Sequence, residues 1–139
     1  MMKKSLGCLV VSSLALFASS AQADLYQECL DKNYMSDKEM ARCNDDEATR
    51  IMGEIRKKVN SMAATNYFNN WDPAKKNFKV LLSNWDNLRN EYCDLYGYAY
   101  TQGLGTISVL QTSKCNLDMN KRFLDDLENI VNIYKENAI

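Results

Sequence analysis

Residues 29–43, CLDKNYMSDKEMARC, place one cysteine on each side of a turn at 33–36. Cys93 and Cys115 flank a glycine-bearing loop at 97–106 in the same way. Two cysteines at matching distances from the break between two helices face each other when the helices run antiparallel. The spacing therefore predicts two disulfide bonds, Cys29–Cys43 and Cys93–Cys115, in a helical scaffold that holds one loop in place.

The first 23 residues have the pattern of a signal peptide. Two lysines precede an apolar run at 6–17, which is too short to span a bilayer, and a small-x-small cleavage site follows at 21–23. Cys8 lies near the start of the apolar run, whereas a lipidated cysteine follows such a run, so we expect no membrane anchor. The sequence predicts a signal peptide at 1–23 and a periplasmic or secreted domain at 24–139.

The charge of the mature chain bears on its partners. Residues 1–23 contain two lysines and no acidic residue, so their removal lowers the net charge from −1 to −3. A mildly acidic chain is a poor match for nucleic acid or an anionic membrane, and it weakly favours a basic partner. The 116 residues that remain form a single domain.

The four cysteines of the mature chain have two readings. In an oxidising compartment they form a disulfide framework, which allows three pairings, and the symmetry favours the two bonds named above. The rival is a zinc site, but such sites use close Cys-x2-Cys spacings or histidines, and the chain has no histidine. We therefore expect two disulfides, no metal and no cofactor.

Apolar spacing predicts helices nearly throughout, packed as a small all-α up-and-down bundle with one short and three long helices. A short helix at 25–32 precedes a capping box at 36–39, which begins a second helix that reaches Ala64. The sequence Asp72-Pro73 supplies an N-cap and a first-turn proline for the third helix.

The third helix is expected to end before Gly97, and the fourth to begin near Ser113 or Asn116, with one irregular loop at 96–113 between them. Seven residues define the predicted apolar stripe of the third helix: Phe78, Leu81, Leu82, Trp85, Leu88, Tyr92 and Cys93. Trp71, in the break before this helix, is expected to cap the bundle end.

Several of these residues also carry a family resemblance. The pattern comprises Trp85-x3-Arg89-x3-Cys93, Gly105-Thr106, Cys115, Arg122 and Leu127. It resembles the LprI-type lysozyme inhibitor family of small exported bacterial proteins, over nearly all of the mature chain. The resemblance implies a protein that blocks a cell-wall-degrading muramidase by protein–protein contact, with Trp85, Arg89, Gly105 and Arg122 as structural motif residues.

Catalysis is poorly supported by the residue types present. Most proton-transfer sites use histidine, which is absent, and bridged cysteines supply no thiolate nucleophile. We therefore expect a binding protein and not an enzyme. The alternative to a lysozyme inhibitor is a non-catalytic periplasmic interaction or immunity-like protein with an envelope or toxin partner.

The loop at 96–113 is the candidate partner-binding segment. Tyrosines offer contact area at low entropic cost, and a disulfide at the base of a loop reduces the ordering penalty on binding. These considerations select Tyr98, Tyr100, Gln102 and Thr106. The competing interpretation is that the loop folds over the bundle end and buries its tyrosines.

Overall fold

The computed structural model describes the backbone of residues 15–64 and 72–137, and side chains at 23–64, 77 and 80–137. Four α-helices fill these ranges without a strand: α1 Ala15–Asn33, α2 Asp37–Ala64, α3 Asp72–Thr101 and α4 Gly105–Asn137. The predicted all-α bundle is therefore confirmed. Trp71 and the break at 65–71 lie outside the described residues, as does the start of the predicted signal peptide.

Contacts between distant residues establish an up-and-down topology. Asn44 of α2 bonds to Ser113 of α4, and Lys58 pairs with Glu128, so α2 and α4 run parallel. The disulfides make α1 antiparallel to α2 and α3 antiparallel to α4. The α2–α4 contact is the most extensive, and α1 packs mainly against α2.

The start of α2 follows the predicted capping box in part. The amide of Glu39 donates to the hydroxyl of Ser36 at 3.3 Å, as an N-cap requires. The Ser36 amide, however, donates to the carbonyl of Asn33 at 2.9 Å, and the Glu39 carboxylate pairs with Arg42. The turn backbone thus satisfies the group that the glutamate was predicted to satisfy.

The core is formed mainly by α2 and α4, whose apolar stripes face each other. Ile55, Leu117 and Leu127 are at most 1% exposed, and Trp85 stacks on Phe123 with ring centroids 4.2 Å apart. Burial of this apolar surface is the main source of stability. Nine residues make up the buried cluster: Ala48, Ile51, Met52, Ile55, Val59, Met62, Leu117, Phe123 and Leu127.

The prediction of a long irregular loop at 96–113 was wrong. Helix α3 continues to Thr101 and α4 begins at Gly105, so only residues 102–104 lie outside the helices. Gly97 is buried within α3, where a Cβ would overlap the hydroxyl of Thr112 and the carbonyl of Ser108. This glycine allows the close approach of α4 and does not end the helix, so tertiary contact overrides its low helix propensity.

Fewer residues of the predicted α3 stripe pack in the core than expected. Trp85 and Leu82 pack against the core and Cys93 is fully buried, but Leu88 and Tyr92 are more than half exposed. Only part of the predicted stripe, which includes Trp85 and Cys93, therefore packs in the interior. The side chain of Phe78 lies outside the described residues.

The helix α1 extends further towards the N-terminus than the predicted 25–32, since it begins at Ala15. Its described side chains, from residue 23 onwards, are all at least partly exposed. Within the part of the chain that the structure describes, no helix combines the length and apolar character needed to cross a bilayer.

Candidate functional site

Both disulfides lie toward one end of the bundle, which we call the stapled end: the turns at 33–36 and 102–104 with the helix ends beside them. The Cα atoms are 5.9 Å apart in Cys29–Cys43 and 5.5 Å apart in Cys93–Cys115. Both distances are normal for a disulfide. The structure thus forms both of the predicted bonds.

A hydrogen bond joins the two turns. The hydroxyl of Thr106, in the first turn of α4, donates to a carboxylate oxygen of Asp37 at the start of α2, at 3.1 Å. The side-chain amide of Asn33 donates to the carbonyl of Cys29 at 2.8 Å and closes the end of α1. Since each turn is also tied by its disulfide, the stapled end is a doubly linked surface.

The end of α3 has the geometry of a Schellman motif. The amide of Gly103 donates to the carbonyl of Tyr98 at 3.2 Å, and Gln102, with φ of 54°, occupies the left-handed position. Gly103 also has a positive φ, and a Cβ there would lie 2.8 Å from the ring of Tyr98. The turn therefore holds the backbone beneath Tyr98 in one conformation.

The tyrosines near this turn are exposed, which contradicts the interpretation that they are buried over the bundle end. Tyr98 is 59% exposed and Tyr100 is 60% exposed. The ring of Tyr100 lies beside that of Tyr96, with centroids 5.8 Å apart. The aromatic rings thus stand on the last turns of a helix and not on a loose loop.

Of the four predicted partner-binding residues, all lie at the stapled end. Tyr98, Tyr100 and Gln102 belong to the end of α3 and its turn, and Thr106 is exposed but engaged with Asp37. The structure adds four exposed apolar side chains at this end: Tyr34, Met35, Leu104 and Ile107. Tyr34 and Met35 belong to the turn at 33–36, which is distant in sequence from the turn at 102–104. The two turns become neighbours only in the folded chain, so the sequence did not select these two residues.

The motif residues of α3 converge on one buried asparagine of α4. The Oδ1 atom of Asn120 accepts from the indole of Trp85 at 3.2 Å and from the guanidinium of Arg89 at 2.9 Å. Its amide nitrogen donates to the carbonyl of Ala48 at 3.0 Å, and its exposure is 1%. Arg89 pairs further with Asp86 at 3.0 Å. Trp85 and Arg89 therefore connect α3 to α2 and α4 through Asn120.

Sequence reasoning missed Asn120, although a signal was present. It lies three residues after Leu117 and three before Phe123, so helical spacing places a polar residue on the apolar face of α4. A buried amide needs hydrogen-bond partners, and Arg89 and Trp85 supply them. The motif is thus a packing arrangement in this structure.

A polar groove of about 380 Å³ lies beside this network between α2, α3 and α4. Partial removal from water, together with the neighbouring Asp46, raises the pKa of Asp45 on its rim above the ordinary value. The Oδ1 atom of Asn116 is buried there without a hydrogen-bond donor. The other two motif residues lie elsewhere: Gly105 begins α4 with φ of 80°, and Arg122 is exposed beside Tyr92 and Tyr96.

A second polar link anchors α1. The hydroxyl of Tyr26 donates to the buried Asn44 at 2.7 Å, and Asn44 donates to the hydroxyl of Ser113 at 3.1 Å. Burial raises the pKa of Tyr26 above its ordinary value of 10.0, and the carboxylates of Asp118 and Glu47 raise it further. The phenol thus favours its protonated, hydrogen-bonding form.

Among the described residues, no group of three or more histidine, cysteine or acidic side chains is placed to hold a metal ion.

Comparison of the chain with protein-family models, curated proteins and solved structures finds no match in any of the three. The resemblance to the LprI-type family therefore stays a prediction from the residues that carry it.

Proposed function

We propose that this protein is an exported lysozyme-inhibitor-like binding protein, which blocks a cell-wall-degrading muramidase by inserting its stapled end into the enzyme's cleft. The observation that carries the proposal is the exposure of Tyr98 and Tyr100 on a helix end fixed by Cys93–Cys115. Aromatic side chains held in one position provide contact area without a large ordering cost.

The shape and chemistry of the stapled end support a protein partner. Six exposed side chains with large apolar parts belong to the two turns and the adjoining helix ends: Tyr34, Met35, Tyr98, Tyr100, Leu104 and Ile107. The hydrogen bond between Thr106 and Asp37 holds the two turns side by side. Exposed apolar side chains gathered at one place are typical of interaction surfaces.

The charge of the chain supports a basic partner. The predicted mature chain has a net charge of −3, and the first turn of α2 carries Asp37 and Glu39 at the stapled end. Animal-type lysozymes are basic and have a cleft that contains two carboxylates, so an uncharged aromatic projection avoids repulsion inside the cleft while the acidic chain favours encounter. This arrangement needs no catalytic group in the binder.

The direct test is inhibition of an animal-type lysozyme acting on a bacterial cell-wall suspension, followed by loss of turbidity. We expect the protein, purified after export with both disulfides intact, to slow lysis as its ratio to lysozyme rises. Undiminished lysis at about tenfold molar excess would exclude the inhibitor proposal and leave the interaction or immunity-like alternative.

Substitution separates the stapled end from the rest of the surface. We expect Tyr100→Ala to weaken inhibition at least about tenfold, because an anchoring aromatic residue typically contributes about 2 kcal/mol or more. Ile133→Ala is the control, since Ile133 is 59% exposed, close to the 60% of Tyr100, but lies near the end of α4 that is opposite the stapled end. Equal inhibition by the two variants would move the binding surface elsewhere.

A further inference from the structure

One face of α3 carries exposed apolar side chains that no described part of the chain covers. We call Leu81, Leu88, Tyr92 and Leu95 the α3 stripe; their exposures are 36%, 58%, 52% and 65%. The three leucines recur at intervals of seven residues, which places them on one face of a helix. This regular spacing distinguishes the stripe from apolar residues scattered singly over a surface.

The helices that the structure describes leave this face exposed. Helix α1 packs mainly against α2, not against α3. Helix α4 contacts the adjoining face of α3 through the stack of Trp85 on Phe123, one helical turn from Leu81 and Leu88, and leaves the stripe exposed.

We infer that the α3 stripe is the contact by which two copies of this chain form a symmetric dimer. Leu81 and Leu95 lie equally far from Leu88 on either side. A two-fold axis at Leu88 sets this residue against its own copy and Leu81 against Leu95 of the second copy. The stripe is thus complementary to itself, as the interface of a two-fold dimer requires.

The area of the stripe is consistent with contact between two copies of the chain. With Val80 and Tyr96 at its edges, six roughly half-exposed apolar side chains offer on the order of 500 Å² per copy, given that a fully enclosed aromatic side chain buries roughly 150–250 Å². A stable interface buries about 800 Å² per partner, of which the centre is apolar and the rim polar. Polar neighbours such as Asn84 and Asn87 supply the remainder.

The charges near the stripe do not oppose pairing. From 81 to 95, the exposed charged side chains are Glu91 and Asp94, and Arg122 of α4 lies beside Tyr92. Asp86 and Arg89, in the same segment, pair with each other on the side that faces the core. In the antiparallel arrangement, the two stapled ends lie at opposite ends of the dimer, so both remain accessible. The inference is independent of the proposed function.

The test is the molar mass of the protein, purified after export with both disulfides intact, by sedimentation equilibrium over low micromolar to submillimolar concentrations. We expect the mass of a dimer at the upper concentrations. Leu88→Glu places two carboxylates against each other at the centre of the interface, and we expect it to raise the dissociation constant about 100-fold or more.

Ile133→Glu is the matched control, because Ile133 on α4 is 59% exposed, close to the 58% of Leu88, and lies outside the stripe. It should dimerise like the unchanged protein. Circular dichroism of each variant checks that the helices are intact. A monomer throughout the concentration range, or equal dissociation by the two variants, would overturn the inference; Leu95→Glu provides a second position if Leu88→Glu fails to fold.

Discussion

The molecule consists of two helical hairpins, each closed by one disulfide, that are held together in different ways. In the hairpin of α3 and α4, Trp85 of α3 stacks on Phe123 and donates to the buried Asn120. In the hairpin of α1 and α2, the described part of α1 buries no side chain completely. Each disulfide joins one buried cysteine to one partly exposed cysteine, so the difference lies in the helices and not in the bonds.

The difference separates two uses of the same covalent link. In the α3–α4 hairpin, the disulfide reinforces helices that already share a core and a polar network. In the α1–α2 hairpin, it holds a helix whose other interhelical contacts include those of Tyr26, which donates to Asn44 and packs against the core. We therefore expect damage to the α3–α4 hairpin to unfold the domain, and damage to the α1–α2 hairpin to release α1 alone.

The largest effect is expected from Trp85→Ala in the α3–α4 hairpin. It removes the stack on Phe123 and one donor to the buried Asn120, which together should lower the free energy of unfolding by about 4 kcal/mol. Chemical denaturation at a fixed protein concentration measures the change. Trp85→Phe keeps the stacked ring and should cost only about 1 kcal/mol, so equal losses in the two variants would contradict this assignment.

The disulfides give the sharpest contrast between the hairpins. Replacement of Cys93 and Cys115 by alanine should lower the free energy of global unfolding by roughly 3 kcal/mol. Replacement of Cys29 and Cys43 should instead raise amide exchange at 24–33 at least about tenfold (roughly 1.4 kcal/mol) and leave exchange in α4 unchanged. Retained protection in α1 would show that noncovalent contacts suffice to hold it.

The smallest effect concerns Tyr26 and alkaline pH. Its pKa is raised in the folded protein, so the stability that it contributes is complete below pH 10 and is lost as the pH rises through the raised pKa. Tyr26→Phe should lower the stability of α1 docking by about 1 kcal/mol and remove this pH dependence.

The difference in tyrosinate absorbance between the unchanged protein and Tyr26→Phe, recorded during an alkaline titration, reports the pKa of Tyr26 directly. A midpoint at the ordinary value of 10.0 would show that the phenol is not buried beside the carboxylates of Asp118 and Glu47.

Much of this arrangement could be predicted from local patterns. The cysteine spacing predicts both disulfides, the serine at 36 predicts the start of α2, and Asp72-Pro73 predicts the start of α3. Each of these signals acts within a few residues of the chain. The candidate tyrosines could be named for the same reason, because the turn and the cysteines that flank it are neighbours in sequence.

The parts that could not be predicted depend on contacts between distant residues. The sequence alone predicts that Gly97 ends a helix, whereas in the structure this glycine lies inside α3 and α4 packs against it. Leu88 and Tyr92 read as core residues because the spacing of α3 gives a stripe but not its direction. Tyr34 and Met35 lie at the same end of the bundle as the second turn because α2 and α4 run parallel, and no local pattern specifies that arrangement.

Gly97 has a consequence for natural variation in this chain. A Cβ at this position would meet the side chain of Thr112 and also the backbone carbonyl of Ser108. A smaller residue at 112 would remove the first overlap and leave the second. Glycine should therefore persist at 97 in natural variants that keep α3 and α4 packed this closely, whatever residue they carry at 112.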